Sequence, residues 1–186
     1  YVQALFTPKW LENTISISIT ATLRQDFDQF DEYIAVDAYF SRIVQLFIMG
    51  YILCYSRQLA QVRPPIDPDG QLFNMIQQDK ISLLKLFSNY AEQVETFVIN
   101  DELSKLDLLI DLLTANAEFL SLYFTKLRES FPRHYTEILT GLLLMRSDIT
   151  KQQRRDLLED LNLSSEEINN MESSVNSSQK ASRVSD

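Results

Sequence analysis

The sequence predicts an all-α fold, and three properties of the chain support this prediction. Only three glycines and five prolines occur in 186 residues, so long uninterrupted elements are easier to build than many short strands joined by turns. Hydrophobic residues make up 45% of the chain, which is ample for a packed core. They recur every three or four positions over long stretches, a spacing that keeps them on one face of a helix.

The first helix is expected to begin near Pro8, because Thr7 can cap a helix and proline is favoured at the first helical position. Ile15, Ile17 and Ile19 alternate with polar residues as they would in a strand. A longer pattern with helical spacing outweighs this local alternation, and it comprises Leu11, Ile15, Ile19, Leu23, Phe27 and Phe30. The first helix is therefore expected to carry Phe27 and Phe30 on its core face.

A second helix is predicted from about Asp37 to Val62, with an apolar face so broad that it implies burial by several neighbours. Its most apolar stretch, between Arg42 and Arg57, falls short of the ~20 residues that cross a bilayer, which favours a buried core helix. Cys54 lies in this stretch and is expected to be buried without a disulfide partner, as suits a reducing, cytosolic compartment. The helix should end at residues 63–70, where prolines and an Asp-Gly pair favour a turn.

A third helix is predicted from about Gln71 to Phe97, on a three-four alternation of apolar positions that only Lys80 breaks. We expect the Lys80 side chain to run along the apolar surface and to place its charge in solvent. Beyond Asn100 the predicted helices are shorter, and they lie at about residues 103–113, 120–127 and 135–145. Short helices joined by tight turns stack as antiparallel neighbours.

Two capping boxes mark helix starts near the C-terminal end. Thr150 and Gln153 have the spacing to bond each other's backbone N–H and to open a further helix, and Ser164 and Glu167 repeat it. After Met171, serine, asparagine and charged residues dominate, which predicts a disordered tail. The predicted organisation is one helical bundle domain over residues 1–163, with long helices over 8–99 and shorter stacked helices over 102–163. A short helix and polar tail follow over 164–186.

Residues typical of catalysis are sparse. His134 is the only histidine, which rules out sites with several histidine ligands and leaves at most one member of a triad. Its place near a predicted helix start favours a surface or capping role. The segment Asp67-Pro68-Asp69-Gly70 has glycine at its fourth position, whereas a calcium loop needs it at the sixth, so a turn is expected. We therefore predict no enzymatic activity, no cofactor and no metal site.

An acidic cluster near the end of the first helix suggests an alternative, since carboxylates on one helical face hold Mg²⁺ in all-helical isoprenoid synthases. The cluster consists of Asp26, Asp28, Asp31 and Glu32. Phe27 and Phe30 interleave with these carboxylates on the core side, so a solvated helix face is the favoured interpretation. The sequence has no second acidic motif that could complete a metal site. An enzyme that used it would be stabilised by Mg²⁺ and would lose that effect in Asp28→Ala.

The net charge of the chain disfavours nucleic-acid binding. The net charge of −9 does not suit a grip on phosphates, which needs clustered Lys and Arg to release counterions. The basic residues that do cluster, Arg146, Lys151, Arg154 and Arg155, are diluted by neighbouring carboxylates, which favours a solvated face over a membrane site. What is left is a large apolar helical surface, and such a surface indicates protein binding.

Several segments of the later helices follow one another in a recognisable order. A leucine-rich helix that includes Phe119 to Tyr123 closes at the aromatic-proline step Phe131-Pro132. The next helix runs from Ile138 to an Arg-x-Asp corner at residues 146–148, and a polar helix follows that ends at residues 157–161. In this order and spacing they resemble the C-terminal part of the exocyst Sec-six subunit, exocyst complex component three, and of its paralogues such as M-Sec. Residues 26–30 and the long helix after them resemble the upstream part of that family.

This resemblance implies the terminal portion of an elongated rod of stacked helical bundles, in a complex that tethers secretory vesicles to the plasma membrane. It implies a non-enzymatic role, a cytoplasmic place at the membrane periphery without a transmembrane segment, and two kinds of partner: other exocyst subunits and plasma-membrane SNARE proteins. A paralogue that binds a small GTPase and remodels membrane and actin is the alternative. The chain begins at Tyr1 without methionine and is interpreted as a fragment. Partner contacts are expected on the later helices near Tyr135, Arg146, Arg154 and Arg155.

Overall fold

The computed structural model describes residues 5–7, 10, 14–34, 36–90, 94–159 and 173. Seven α-helices lie in these ranges and none of the residues described there forms a strand, which confirms the all-α prediction. The helices are α1 (Thr14–Tyr33), α2 (Asp37–Val62), α3 (Gln71–Phe87), α4 (Thr96–Thr114), α5 (Leu120–Ser130), α6 (Tyr135–Met145) and α7 (Lys151–Glu159). Two 3-10 turns lie at Ser88–Tyr90 and Ala117–Phe119.

The chain divides into two compact units. Unit 1 consists of residues 1–55 and 67–107, and unit 2 consists of residues 56–66 and 108–186. The single domain over residues 1–163 stays a prediction. The expected helix start at Pro8, the second capping box at Ser164 and the polar tail all lie outside the described residues.

Aromatic side chains fill part of the core of unit 1. The Phe27 ring on α1 lies 5.2 Å from the Phe47 ring on α2 and 5.3 Å from the Tyr90 ring, both edge to face. The Tyr90 ring also lies 5.9 Å from that of Phe40. The expected burial of Phe27 is confirmed, but that of Phe30 is wrong, because Phe30 lies in the last turn of α1, beyond this cluster, and is 44% exposed.

Helix α2 has one buried and one exposed face. Its predicted span is confirmed, and its buried residues include Phe40, Val44, Ile48, Tyr51, Ile52, Tyr55 and Leu59. Cys54 lies on the outward side and is exposed, so its expected burial is wrong: apolar neighbours in sequence do not fix which side of a helix meets the core. By length and composition α2 is long and apolar enough to cross a membrane, a test that core helices also pass. The expected shortfall in apolar length is therefore not found.

The predicted third helix is in fact broken. Helix α3 ends at Phe87, a 3-10 turn follows, and α4 begins at Thr96, ahead of the expected boundary near Asn100. Ser88 and Asn89 are poor helix formers because their side chains compete for backbone hydrogen bonds. Tyr90 turns into the core and its hydroxyl donates a 2.9 Å hydrogen bond to Asp28, which holds the break in place.

Lys80 fills the gap in the apolar face of α3 with an ion pair. Its Nζ lies 2.5 Å from Oδ2 of Asp107 on α4, and Gln77 donates to Oδ1 of the same carboxylate at 3.2 Å. The Lys80 side chain is 27% exposed, so its stem is largely covered while its charge is paired. The break in the apolar pattern is therefore a polar link between α3 and α4.

Two predicted helix starts are confirmed by their capping bonds. At the start of α3, the Asp67 carboxylate accepts hydrogen bonds from the backbone N–H of Gln71 and Leu72, which lowers the pKa of Asp67, and Gly70 supplies a left-handed φ of 70°. At the start of α7, the Gln153 N–H donates to Thr150 Oγ1 at 3.2 Å, and the Thr150 N–H donates to Gln153 Oε1 at 3.0 Å.

In unit 2 the helices α5 and α6 lie close to where they were predicted, and α6 presents the bulk of its apolar residues to the core. Residues 56–62 of α2 lie against α6 at Gly141. A Cβ atom added to Gly141 would lie 2.7 Å from Ala60 Cα and closer still to its carbonyl oxygen. The two backbones therefore touch with no room for a side chain between them.

Candidate partner-binding surfaces

Asp79 of unit 1 is buried and accepts hydrogen bonds from three side chains. Trp10 Nε1–H and the Tyr55 hydroxyl donate to its Oδ2 at 2.8 and 2.7 Å, and the Ser16 hydroxyl donates to its Oδ1. Burial raises the pKa of the Asp79 carboxyl, and the three hydrogen bonds offset only part of this effect. Burial and the nearby Asp79 charge likewise raise the pKa of Tyr55. Asp79 is 3% exposed and its three donors come from separate segments, so it links those segments within the core.

The acidic cluster of α1 faces solvent. Asp28, Asp31 and Glu32 are exposed, and Asp28 accepts the hydrogen bond from Tyr90. Within the part of the chain that the structure describes, no three Asp, Glu, His or Cys side chains come together as metal ligands. This arrangement fits a solvated face, and the Tyr90 bond gives Asp28 a structural partner.

Large apolar side chains are exposed where α1 passes into α2. Tyr33 is 80% exposed, and Phe30, Val36 and Tyr39 are also exposed. We call residues 25–34 and 36–41 the α1–α2 corner. A folded chain rarely leaves several large apolar side chains uncovered in one short segment, so the corner is a candidate contact surface.

The outward side of α2 continues this apolar surface along the helix. Tyr39, Leu46 and Met49 are exposed and are spaced by seven and three residues, which places them on one side. Gly50, next to Met49, has open space beyond its Cα. We call this surface the α2 outer face.

Of the residues predicted for partner contacts, Tyr135 opens α6 and is partly exposed. The Arg128 guanidinium lies 6.0 Å from the centre of its ring, at the outer limit of a cation–π contact. An open groove lined by Thr125, Arg128, Glu129 and Pro132 includes this arginine. Tyr135 is thus placed where a partner can reach it.

Arg146 lies inside unit 2. Its Nη1 donates to the Leu112 carbonyl at 3.1 Å, and its Nε and Nη2 bond the Asp148 carboxylate at 3.0 and 2.5 Å. These bonds lower the pKa of Asp148. Arg146 is only 4% exposed, so it offers a partner almost no surface: the Arg-x-Asp corner closes on itself and joins the end of α6 to α4.

Arg154 and Arg155 lie on α7, and both are partly exposed. Arg155 Nε lies 3.7 Å from Glu159 Oε1 one turn later. An exposed pair at this distance is weak, so the guanidinium is available to a stronger acceptor. Partner contacts by Tyr135, Arg154 and Arg155 stay predictions.

Glu137 of unit 2 accepts several side-chain hydrogen bonds, and its role is not predicted from the sequence. Arg57 donates to its carboxylate through Nε at 3.0 Å and Nη2 at 3.3 Å, and Gln61 adds a bond of 3.0 Å. Partial burial would raise the pKa of Glu137, but the bonds from Arg57 and Gln61 outweigh it and lower the pKa. His134 Nδ1 lies 3.7 Å from the same carboxylate, beyond hydrogen-bond distance, just before the start of α6.

One comparison with known proteins finds a matching family. A family model described as exocyst complex component Sec6 matches residues 1–151 of the 186, a range that takes in α1 to α6 and the first residue of α7. No curated protein and no solved structure matches the chain. The matched range includes both the α1–α2 corner and the Arg146–Asp148 corner.

Proposed function

Because this chain belongs to the Sec6 family of exocyst components, we propose that it is a binding and positioning part of a complex that docks secretory vesicles at the plasma membrane and engages SNARE proteins there. The observation that carries this proposal is the family match over residues 1–151. In this role the chain makes no covalent change to its partners. It acts from the cytoplasmic side as a peripheral component that sets where other proteins meet.

The surface of the chain supports this role. The α2 outer face presents Tyr39, Leu46 and Met49 on one side of a long helix, a surface suited to packing against a helix of another subunit. Such contacts are made by apolar area and shape, so they need no catalytic group. We assign the contact with other exocyst subunits to this face.

Contacts with SNARE proteins are assigned to the later helices. Tyr135 offers a partly exposed aromatic ring, and Arg154 and Arg155 offer positive charge on α7. Aromatic and arginine side chains are enriched where protein interfaces bind tightly, and arginine complements an acidic helix. A plasma-membrane SNARE segment rich in carboxylates is the partner that this chemistry favours.

The test is an affinity purification from cytosol with the whole 186-residue chain as bait, at physiological salt, with mass spectrometry of the bound proteins. We expect other exocyst subunits, together with a plasma-membrane SNARE. Recovery of a small GTPase and actin regulators without exocyst subunits would instead identify the membrane-remodelling type of family member. A bait that retains neither set contradicts the proposal.

Matched variants assign the contacts to their surfaces. Leu46→Ser with Met49→Ser should reduce recovery of exocyst subunits, whereas Leu122→Ser, which alters a side chain that is 68% exposed on α5, should not. Arg155→Glu should reduce recovery of the SNARE, whereas Arg133→Glu, a charge reversal at another exposed arginine, should leave it unchanged. Equal effects of the test and control variants would show that the assigned surfaces are wrong.

A further inference from the structure

The α1–α2 corner combines exposed apolar side chains with charge of one sign. Phe30, Tyr33, Val36 and Tyr39 are 44%, 80%, 48% and 68% exposed, and they recur every three residues across the end of α1 and the start of α2. Four such side chains in one short segment leave a surface that water solvates poorly. A surface of this kind is typical of a contact site.

Hydrogen bonds hold the backbone at the end of α1 and at the start of α2, on the two sides of the corner. The Ile34 N–H donates to the Phe30 carbonyl at 2.8 Å, and the Tyr39 and Phe40 N–H groups donate to the Val36 carbonyl at 2.9 and 3.3 Å. Beneath the surface, Phe27 and Phe40 are buried. The exposed side chains are therefore carried by the hydrogen-bonded end of α1 and start of α2, which reduces the entropy lost on binding.

All formal charges of the corner are negative. Between Arg24 and Arg42 the sequence has no lysine, arginine or histidine, and it has five carboxylates: Asp26, Asp28, Asp31, Glu32 and Asp37. Asp28 is engaged by Tyr90, and Asp31, Glu32 and Asp37 are exposed. Carboxylates around apolar side chains favour a partner that carries positive charge beside apolar residues, and they disfavour anionic surfaces.

We propose that the α1–α2 corner is the docking site of a basic amphipathic segment of a partner protein. Apolar side chains of that segment cover Tyr33 and Tyr39, and its lysine or arginine side chains meet Asp31, Glu32 and Asp37. This inference rests on the proposed function, since it names the chemistry of one partner contact of a binding subunit. The occupant is a protein segment because the negative charge repels both anionic lipid headgroups and a second copy of the same acidic corner.

The experiment uses fluorescence anisotropy of the whole chain with a labelled helical peptide of lysine and leucine, its leucines spaced by three and four residues. One comparison peptide replaces every lysine by glutamate, and another replaces every leucine by serine. We expect the basic amphipathic peptide to bind at least ~10-fold more tightly than either comparison peptide, with an affinity that falls as salt is added.

Variants place that binding on the corner. Asp31→Asn with Glu32→Gln should weaken it by about fivefold or more, whereas Asp111→Asn with Glu118→Gln, the same charge change at two other exposed carboxylates, should leave it nearly unchanged. If the two pairs weaken binding equally, net charge alone governs it and the proposal fails.

A second pair of variants tests the apolar side chains of the corner. Tyr33→Ser with Tyr39→Ser should weaken peptide binding by about tenfold, whereas Phe97→Ser with Leu122→Ser, at side chains that are 67% and 68% exposed, should not. Circular dichroism of each variant checks that the fold is kept. Peptide affinity that is unchanged in the tyrosine variant would overturn the proposal.

The same variants also test whether a membrane or a second copy of the chain occupies the corner instead. Binding of the chain to phosphatidylcholine vesicles, or dimerisation in sedimentation velocity, that Tyr33→Ser with Tyr39→Ser abolishes would assign the corner to a membrane or to a second copy and would overturn the proposal. Exocyst subunits retained by a chain that fails to bind the basic peptide would refute this inference alone. Peptide binding at the corner by a chain that retains no exocyst subunit would refute the proposed function alone.

Discussion

Tyr55 of α2 donates a 2.7 Å hydrogen bond to Asp79 of α3, at a carboxylate that also accepts hydrogen bonds from Trp10 and Ser16. One buried carboxylate thus collects donors that are 63 and 69 residues away in the sequence as well as one on the adjacent helix. A carboxylate has enough lone pairs to accept all three bonds, which no neutral side chain of its size can do. Asp79 therefore sets how these segments of unit 1 meet.

Removal of this acceptor should be costly. Asp79→Ala leaves Trp10, Ser16 and Tyr55 with buried donors that have lost their acceptor, and we expect the free energy of unfolding to fall by about 3 to 5 kcal/mol. Urea titration followed by circular dichroism measures the change. Asp69→Ala, at an exposed loop carboxylate, serves as the control and should leave the midpoint unchanged.

The pKa of Asp79 predicts a pH dependence. Because burial raises this pKa in the folded chain, the folded state holds its proton to higher pH than the unfolded state does. The associated stability is complete below the unfolded pKa, near 4, and is lost as the pH rises through the folded pKa. Relative to Asp79→Asn, the unaltered chain should therefore lose stability as the pH is raised from about 3 to 7. A difference in melting temperature that does not vary over this range would contradict the shift.

The contact between Gly141 and Ala60 predicts opposite effects of one substitution at two glycines. Gly141→Ala forces two backbones apart, and we expect a loss of about 2 to 4 kcal/mol in the free energy of unfolding. Gly50→Ala meets nothing within 4 Å on the exposed side of α2, and it should stabilise the chain by up to ~1 kcal/mol through helix propensity. Thermal unfolding of both variants is the measurement, and a Gly141→Ala chain that is no less stable than the unaltered chain would refute the close contact.

Arg57 and Glu137 form an ion pair that should show energetic coupling. A double-mutant cycle with Arg57→Gln and Glu137→Gln should give about 1 kcal/mol near neutral pH, since both side chains are partly solvated. The pKa of Glu137 is lowered in the folded chain, so this contribution is present above the unfolded pKa and is lost as the pH falls through the folded one. Coupling that persists at pH 2 would argue against the ion pair.

The capping box of α7 predicts a local effect. In Thr150→Ala the Gln153 N–H loses its acceptor, which should destabilise the start of α7 by about 1 kcal/mol. Amide hydrogen exchange should therefore quicken in residues 151–159 while α5 keeps its protection. Thr150→Ser retains the hydroxyl and is the matched control, with exchange close to that of the unaltered chain.

Helix positions were readily predicted where apolar spacing and end signals agreed. The bounds of α2 and α6, the turn at residues 67–70 and the capping box at Thr150 all carry both kinds of signal. The break after Phe87 has no proline or glycine, and the apolar spacing runs through it to Phe97. The break is stabilised by the core contacts of Tyr90, and these contacts are made with a helix more than 60 residues away in the sequence.

Which candidate residues reach the surface could not be predicted from sequence. Arg146 lies near the basic residues of α7 in the sequence, yet it is buried because Asp148 and the Leu112 carbonyl satisfy its guanidinium. The burial of Asp79 is not evident from sequence either, because a single carboxylate in an amphipathic helix is typical of a solvated residue. Cys54 faces outward although its neighbours are apolar, and Phe30 faces outward although it continues the apolar spacing of α1. The rotation of a helix about its axis is set by tertiary packing.

The close backbone contact between Gly141 and Ala60 also restricts which residues related sequences can have at these two positions. Each position limits the side-chain volume that the other can hold, so a larger residue at one of them alone would clash with the other. Position 60 can enlarge only if α6 moves outward, and that shift would draw Glu137 away from Arg57 and Gln61. Across an alignment of relatives, positions 60 and 141 should therefore covary and be limited to the smallest residues.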